Sequence, residues 1–337
     1  FNQNLDIIPK IDLGNGMRAL ALFSGGLDSA LAMKVIIDQG IEVVAVHVDM
    51  GFGGTSDKRD YLQRICDHIG AKLEILDLKK EFLDEVLFTP KYGYGKNFNP
   101  CIDCHGFMFR YTSRLLEIYD ASFMISGEVI GQRPMSQRKE SLEIVQKLSQ
   151  NDELVLRPLS AKHLPPTKPE LEGWVDRDKL LSIHGRNRQV QLKMAKDIGL
   201  EGFDEPAGGC LLTHIEISNR LRDFIAHDKL DVDDIDILKF GRHLRLPDGA
   251  KLVIGRHEED NKKLEAVKSN KFYRAIIKDG IGPFNMLSRN ASDADKALAT
   301  KLIITYGKTE SEQIYTVDFG DFEMQGTKFP SKEIAAK

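Results

Sequence analysis

Long apolar runs are missing from this chain. No stretch approaches the ~20 residues that a membrane-crossing helix needs, and the opening Phe1-Asn2-Gln3-Asn4 lacks the basic and apolar character of a signal peptide. These absences lead us to expect a soluble, cytoplasmic protein with no membrane partner. Cysteine is scarce, with four in 337 residues, which excludes a disulfide-stapled scaffold. Neither sign of charge dominates: 47 Lys and Arg face 51 Asp and Glu, a formal net charge of -4. Blanket attraction to nucleic acid is therefore disfavoured, although a local basic patch remains compatible with RNA. There is no internal repeat and no low-complexity tract. What is present is ordinary for a globular protein with a real core, 42% hydrophobic and 29% charged, at a length comfortable for two domains.

The patterning predicts buried strands over 17–23, 41–48 and 73–78, alternating with helices over 28–39 and 56–69. The first strand is apolar on both faces apart from Arg18, as a parallel sheet requires. Such βαβαβ alternation implies an α/β fold with right-handed crossovers. Residues 80–100 read as an excursion. A helix over 103–119, a strand over 122–126, a helix over 140–148, a short strand over 154–156 and a helix over 188–198 follow. Near Gly208-Gly209-Cys210 the style changes. Beyond it, Phe240 to Leu246 and Lys251 to Arg256 flank Pro247-Asp248-Gly249, a hairpin signal. We expect domains at 1–212 and 213–337.

Between the first strand and first helix lies Ser24-Gly25-Gly26-Leu27-Asp28-Ser29. Two glycines let backbone approach an anion closely, and hydroxyls and amides at a helix N-terminus grip it. A carboxylate would repel a bare phosphate, so Asp28 makes sense if it helps hold Mg2+ against pyrophosphate. The bland alternative is a tight turn with Asp28 or Ser29 as helix cap. The string resembles the PP-loop of N-type ATP pyrophosphatases, a group that includes tRNA thiolation enzymes, argininosuccinate and GMP synthetases, and NAD synthetase. That resemblance implies a doubly wound, mainly parallel sheet of the adenine nucleotide alpha hydrolase type, with a smaller C-terminal α+β domain. It also implies that ATP adenylates a carbonyl or carboxylate, with Ser24, Gly25, Gly26, Asp28 and Ser29 at the pyrophosphate end. His47, Val48 and Asp49 would lie on the adenine side, and Gly127 and Glu128 would line the same crevice beyond the strand ends.

Cys101 and Cys104 form a CxxC in Asn99-Pro100-Cys101-Ile102-Asp103-Cys104-His105, while Cys66 and Cys210 stand alone. A helix N-terminus lowers a thiol's pKa, which favours nucleophilic attack and metal ligation; Cys66, mid-helix beside Ile65, reads as an inert core residue. Asn-Pro-x-x-x-Cys with a distant second cysteine resembles the tRNA thiouridylase branch of the PP-loop group. By that match Cys104 and Cys210 are the paired catalytic positions, one carrying sulfur and the other assisting its release. The extra Cys101 departs from the two-cysteine pattern. Cys101, Cys104 and Cys210 together resemble the thiolation enzymes that hold a [4Fe-4S] cluster by three thiolates; Zn2+ completed by His105 is the competing metal.

Arg133, Arg138, Lys139, Arg186 and Arg188 follow presumed crevice elements and are candidates for phosphate contact, with Gln132 and Gln137 for a base or ribose. The segments around Phe240-Gly241-Arg242-His243-Leu244-Arg245 and Gly255-Arg256-His257 resemble the NFACT-R RNA-binding domain. This resemblance implies that Arg242, His243, Arg245, Lys251 and Arg256 contact an RNA backbone; a small β-rich domain with ordinary surface charge is the alternative. The combined expectation is a tRNA sulfurtransferase making thiouridine from ATP, Mg2+, tRNA and an external sulfur donor, since no rhodanese segment is recognisable. A PP-loop AMP-forming ligase acting on a small carboxylate, with zinc on the cysteines, is the runner-up; no glutaminase domain is evident to support amidotransfer. An RNA-binding module with a regulatory loop is the third.

Overall fold

A computed structural model describes residues 16–203 and 210–330. The chain divides into two compact units, 1–214 and 215–337. Gly208 and Gly209, which opened the change of style, lie outside the described residues.

In the first unit, β1 (Arg18–Leu22), β2 (Glu42–Asp49), β3 (Lys72–Asp77), β4 (Phe123–Ser126) and β5 (Val155–Leu156) form one sheet in the order β3-β2-β1-β4-β5. Every pairing is parallel. The helices are α1 (Leu27–Ile37), α2 (Arg59–Ile69), α3 (Lys79–Phe82), α4 (Cys101–Ser113), α5 (Lys139–Leu148), α6 (Lys168–Leu171) and α7 (Gln189–Asp197). The expected doubly wound parallel sheet is therefore present, and its switch point falls between β1 and β4, where ligands sit in folds of this kind.

The core explains the pattern. Leu20, Val44 and Phe123 are wholly buried in the sheet, and Leu31, Met33 and Ile36 of α1 pack on it. Each such side chain contributes about 1.5–3 kcal/mol when removed from water, so Leu31→Ala would cost about 2–5 kcal/mol. Arg18, the one charge in β1, is buried and its charge is matched by Glu42 at 2.9 Å. α2 buries Leu62, Ile65, Cys66 and Ile69 on one face and ends at Gly70, whose φ of +86 no branched residue would take without strain.

The helix expected over 103–119 instead starts at Cys101 and stops at Ser113. Asp103 spends its carboxylate on the amides of Lys91 and Tyr92. At the other end, the Tyr119 carbonyl accepts from the Arg18 guanidinium, and 114–120 close as tight turns ending on Asp120 at φ +48. A tertiary demand thus overrides helix propensity there.

In the second unit β6 (Arg242–Arg245), β7 (Lys251–Ile254), β8 (Phe272–Ile277), β9 (Asn285–Ser288), β10 (Tyr315–Asp318) and β11 (Glu323–Gly326) form an antiparallel sheet ordered β11-β10-β8-β9-β7-β6. The helices are α8 (Ile215–Ile225), α9 (Glu258–Glu265) and α10 (Asp293–Tyr306). Ala299, Leu302, Ile303 and Ile304 of α10 pack against Leu252, Ala275, Leu287 and Val317. The predicted hairpin is β6–β7, turned by Gly249 at φ +97.

Candidate functional site

The chain leaves β1 through Ser24 and Gly25 and enters α1 with Gly26 as N-cap. No side chain caps this helix, which removes the reading of Asp28 or Ser29 as a simple cap and leaves the first-turn amides without intrahelical partners. The hydroxyls instead organise the loop. Ser24 Oγ accepts from the Gly26 amide at 3.2 Å, and Ser29 Oγ donates to the Gly26 carbonyl at 2.8 Å. Unpaired amides at a helix N-terminus, with hydroxyls beside them, form an anion site.

Glycine is required at two points. Gly25 has φ +84, and a Cβ there would lie 2.8 Å from Leu62 Cδ2; Tyr61 clamps the turn by donating to its carbonyl at 2.7 Å. Gly127, at the end of β4, lets that strand abut the start of α1: a Cβ would lie 2.5 Å from Asp28 C and Ser29 Cα. The two segments expected to share a crevice are thus in backbone contact.

Asp28 Oδ2 accepts from Gln132 Nε2 at 2.7 Å and lies 3.6 Å from Arg188, whereas its other oxygen is buried without a partner. The leftover acceptor fits Mg2+, which takes one or two carboxylates and completes its octahedron with water and phosphate oxygens. At the end of β2, Val48 is buried and His47 Nδ1 lies 2.9 Å from the Phe23 carbonyl. Burial, against that hydrogen bond, pulls the His47 pKa down. Asp49 accepts from Lys79 and the Gly51 amide; although burial opposes it, these contacts hold its pKa below the usual carboxylate range.

Glu128 is the electrostatic centre between β4 and α4. It is 5% exposed, accepts from Arg157 Nε at 2.8 Å and Ser126 Oγ at 3.2 Å, and faces His105 Nδ1 at 2.8 Å. Burial alone would raise its pKa, but Arg157 and His105 bring it down to about 2. Asn99 Nδ2 contacts Cys101 Sγ at 3.1 Å, and Cys104 Sγ contacts Met50 Sδ at 3.6 Å, so α4 carries its thiols to the end of β2. Leu211 next to Cys210 bonds to the Phe52 carbonyl, which brings the third thiol to the same place.

One expectation about the thiols needs correction. Cys104 is pushed well above an ordinary thiol by burial and then by the negative charge its neighbours Cys210 and Cys101 would carry, and burial lifts Cys210 to about 11. Desolvation and mutual repulsion outweigh the helix N-terminus, so neither is a ready-made thiolate. Further, no group of three or more His, Cys, Asp or Glu is arranged to hold a metal ion among the described residues. His105, the expected fourth zinc ligand, faces Glu128 instead. Cys66 is buried and lifted to about 12 by burial.

Of the polar residues after β4, Gln132 bonds to Asp28 and Gln137 is buried, while Arg133, Arg138, Lys139 and Arg186 are exposed. Tyr61, Lys79 and Arg157 were missed; each acts across a long sequence separation and carries no local motif.

In the second unit, most expected RNA contacts are spent on the fold. Lys251 is buried and bridges to Asp223 at 2.5 Å. Arg245 pairs with the same Asp223 at 2.8 Å, and Arg256 with Asp260 at 2.7 Å. His243 Nε2 donates to the Phe240 carbonyl at 2.9 Å, and burial drives its pKa well below that of a free imidazole. A cation committed to a carboxylate of the fold is not free for phosphate. Arg242 differs: it is exposed and stacks over Tyr306 at 4.2 Å.

Comparison with known proteins agrees with both halves. Residues 17–168 match the tRNA methyl transferase HUP domain, and residues 241–336 match the NFACT protein RNA binding domain. A probable tRNA sulfurtransferase of Thermococcus kodakarensis is 30% identical over 150 residues, 44% of this chain and 38% of that protein. A tRNA-specific 2-thiouridylase MnmA of Beutenbergia cavernae is 35% identical over 103 residues, 26% of this chain and 27% of that one. The chain thus spans well under half the length of these relatives. A crystal structure of a 4-thiouridine synthetase–RNA complex with bound ATP aligns with a TM-score of 0.39 and 23% identity, over 66% of this chain and 52% of that one. The resemblances to the tRNA-thiolation branch of the PP-loop group and to NFACT-type domains, drawn from the sequence, are borne out by the matches.

Proposed function

We propose that this chain is an ATP-dependent tRNA sulfurtransferase that adenylates a uridine carbonyl and replaces its oxygen with sulfur. We assign the ATP chemistry to residues 1–212 and RNA binding to residues 213–337. One observation carries the reading. The Ser24–Ser29 loop opens α1 at the switch point of a parallel sheet, with uncapped amides and a carboxylate oxygen lacking a partner, and the thiols of Cys101, Cys104 and Cys210 gather near the end of the adjacent β2.

The loop amides, Ser24 and Ser29 hold the pyrophosphate end of ATP, and Gly25 and Gly26 admit it closely. Mg2+, when bound at Asp28, neutralises charge on the departing pyrophosphate. His47 and Val48 bound the adenine side, and Gly127 and Glu128 the side facing the base. The uridine oxygen attacks the α-phosphorus, pyrophosphate leaves, and the carbon becomes electrophilic. Cys104, a poor nucleophile as a buried thiol, carries sulfur received from an external donor as a persulfide, whose outer sulfur attacks that carbon while AMP departs. Cys210 then attacks the Cys104 sulfur, the thiouridine is released, and the Cys104–Cys210 disulfide is reduced by an external dithiol.

A [4Fe-4S] cluster or Zn2+, if bound, would be held by Cys101, Cys104 and Cys210. Iron and zinc analysis of anaerobically purified protein decides that point. The exposed Arg242 is our candidate for RNA contact. The function is tested by nucleoside analysis of tRNA from a deletion strain. A missing thiolated uridine, restored by the wild-type gene but not by Asp28→Ala, supports the proposal; an unchanged nucleoside profile overturns it.

A further inference from the structure

The surroundings of Asp28 are incompletely bonded in a way that describes their ligand. Four residues from three segments meet there: Asp28 in the first turn of α1, Gln132 after β4, and Arg188 and Gln191 at the start of α7. Gln132 donates to Asp28 Oδ2 at 2.7 Å, and its own Oε1 accepts from Gln191 Nε2 at 3.3 Å. Three buried polar atoms are left over: Asp28 Oδ1, Gln191 Oε1 and Arg188 Nε. Gln191 is fully buried. The Arg188–Asp28 pair is itself half-made. At 3.6 Å, with one guanidinium N–H and one carboxylate oxygen unused, it is not the two-bond fork that Arg and a carboxylate normally form.

The unused groups are two hard oxygen acceptors and one cationic donor. A bare anion satisfies only the donor and is repelled by Asp28. A bare cation satisfies only the acceptors and is repelled by Arg188. A magnesium-bound polyphosphate supplies both signs at once. Arg188 is the N-cap of α7 and follows the exposed Arg186 and Asn187, so its side chain can change partner without disturbing a helix interior. We propose that Arg188 is an exchangeable counter-ion: it neutralises Asp28 while the loop is empty, and passes to the phosphate oxygens when Mg2+ takes its place at the carboxylate. Gln132 and Gln191 hold the carboxylate in position through the exchange. This rests on the proposed reading of the loop as a magnesium–ATP site.

The test uses the full chain and two affinities that the exchange moves in opposite directions. Arg188→Gln removes a competing cation from Asp28, so Mn2+ alone, followed by its electron paramagnetic resonance signal, should bind about tenfold tighter. The same variant loses a phosphate donor, so magnesium–ATP, measured by calorimetry, should bind about tenfold weaker. Arg188→Lys, which keeps the charge, should leave Mn2+ affinity near wild type and serves if the Gln variant does not fold. If both affinities fall together, or neither moves, the exchange is wrong although the loop still binds nucleotide. If the wild-type protein binds no magnesium–ATP, the loop reading falls, and the exchange with it.

Discussion

Replacing Gly127 by alanine should be the most damaging one-carbon change in the first unit. The new Cβ would sit 2.5 Å from Asp28 C and Ser29 Cα, about an ångström or more inside the ~3.5–4.0 Å optimum for carbon contact. Both obstacles are backbone, so no rotamer change relieves them. The end of β4 and the start of α1 must separate. We place the cost at the upper end of the ~1–3 kcal/mol typical of overpacking, a fall in melting temperature of roughly 6–12 °C for a unit of this size. Because the shift moves the loop against the crevice strand, a misplacement of about 1 Å should also slow adenylation about a hundredfold. Gly26→Ala is the control for the melting temperature alone: its Cβ would meet only Ser24 Oγ at 3.3 Å, and its φ is an ordinary -86°. Differential scanning calorimetry and pyrophosphate release measure the two effects. A Gly127→Ala protein that melts and turns over like wild type would refute the contact between β4 and α1 as the frame of the site.

Three further outcomes follow from named contacts. Glu128 is at about 2 in the folded protein against 4.5 for a free side chain; its contribution is complete above pH 4.5 and is lost as pH falls towards 2. Acid unfolding should therefore show a pH-dependent loss of stability across that window that Glu128→Gln lacks; equal slopes would count against the Arg157–Glu128–His105 network. Cys104→Ala and Cys210→Ala should each abolish thiolation of tRNA, while Cys66→Ala, at a buried thiol lifted to about 12, should leave it intact; loss of activity in Cys66→Ala alone would reverse the assignment. In the second unit Lys251→Ala should cost about 1.5–3 kcal/mol, because it removes one of the two cations on the half-buried Asp223 and leaves Arg245 in place, with little change in RNA affinity. Arg242→Ala should do the opposite, weakening RNA binding and reducing its salt dependence by about one ion, as filter binding at several salt concentrations would reveal.

The sequence disclosed what is local. Five strands and their order of helices were legible because parallel strands are apolar on both faces and helices repeat at 3.6 residues. The loop was legible because Ser24 to Ser29 is contiguous. The β6–β7 hairpin was legible from Pro247-Asp248-Gly249. What escaped depends on residues far apart in the chain. Asp28 with Gln132, Glu128 with Arg157, and Gly25 with Tyr61 are partners that no spacing announces. The thiols were misjudged for the same reason: a helix N-terminus can be read from the sequence, but the burial that overrides it cannot. In the second unit, Lys251 looked like a surface cation until the sheet placed it inside.

The central claim is that ATP is split to AMP and pyrophosphate at this loop in order to thiolate tRNA. The most direct measurement supplies purified protein with unmodified tRNA, magnesium–ATP, a persulfide donor and a dithiol, and counts AMP, pyrophosphate and thiouridine together. The account predicts one AMP and one pyrophosphate per thiouridine, all dependent on tRNA and all lost in Asp28→Ala. Formation of ADP, or of AMP without any thiouridine when all components are present, would contradict it.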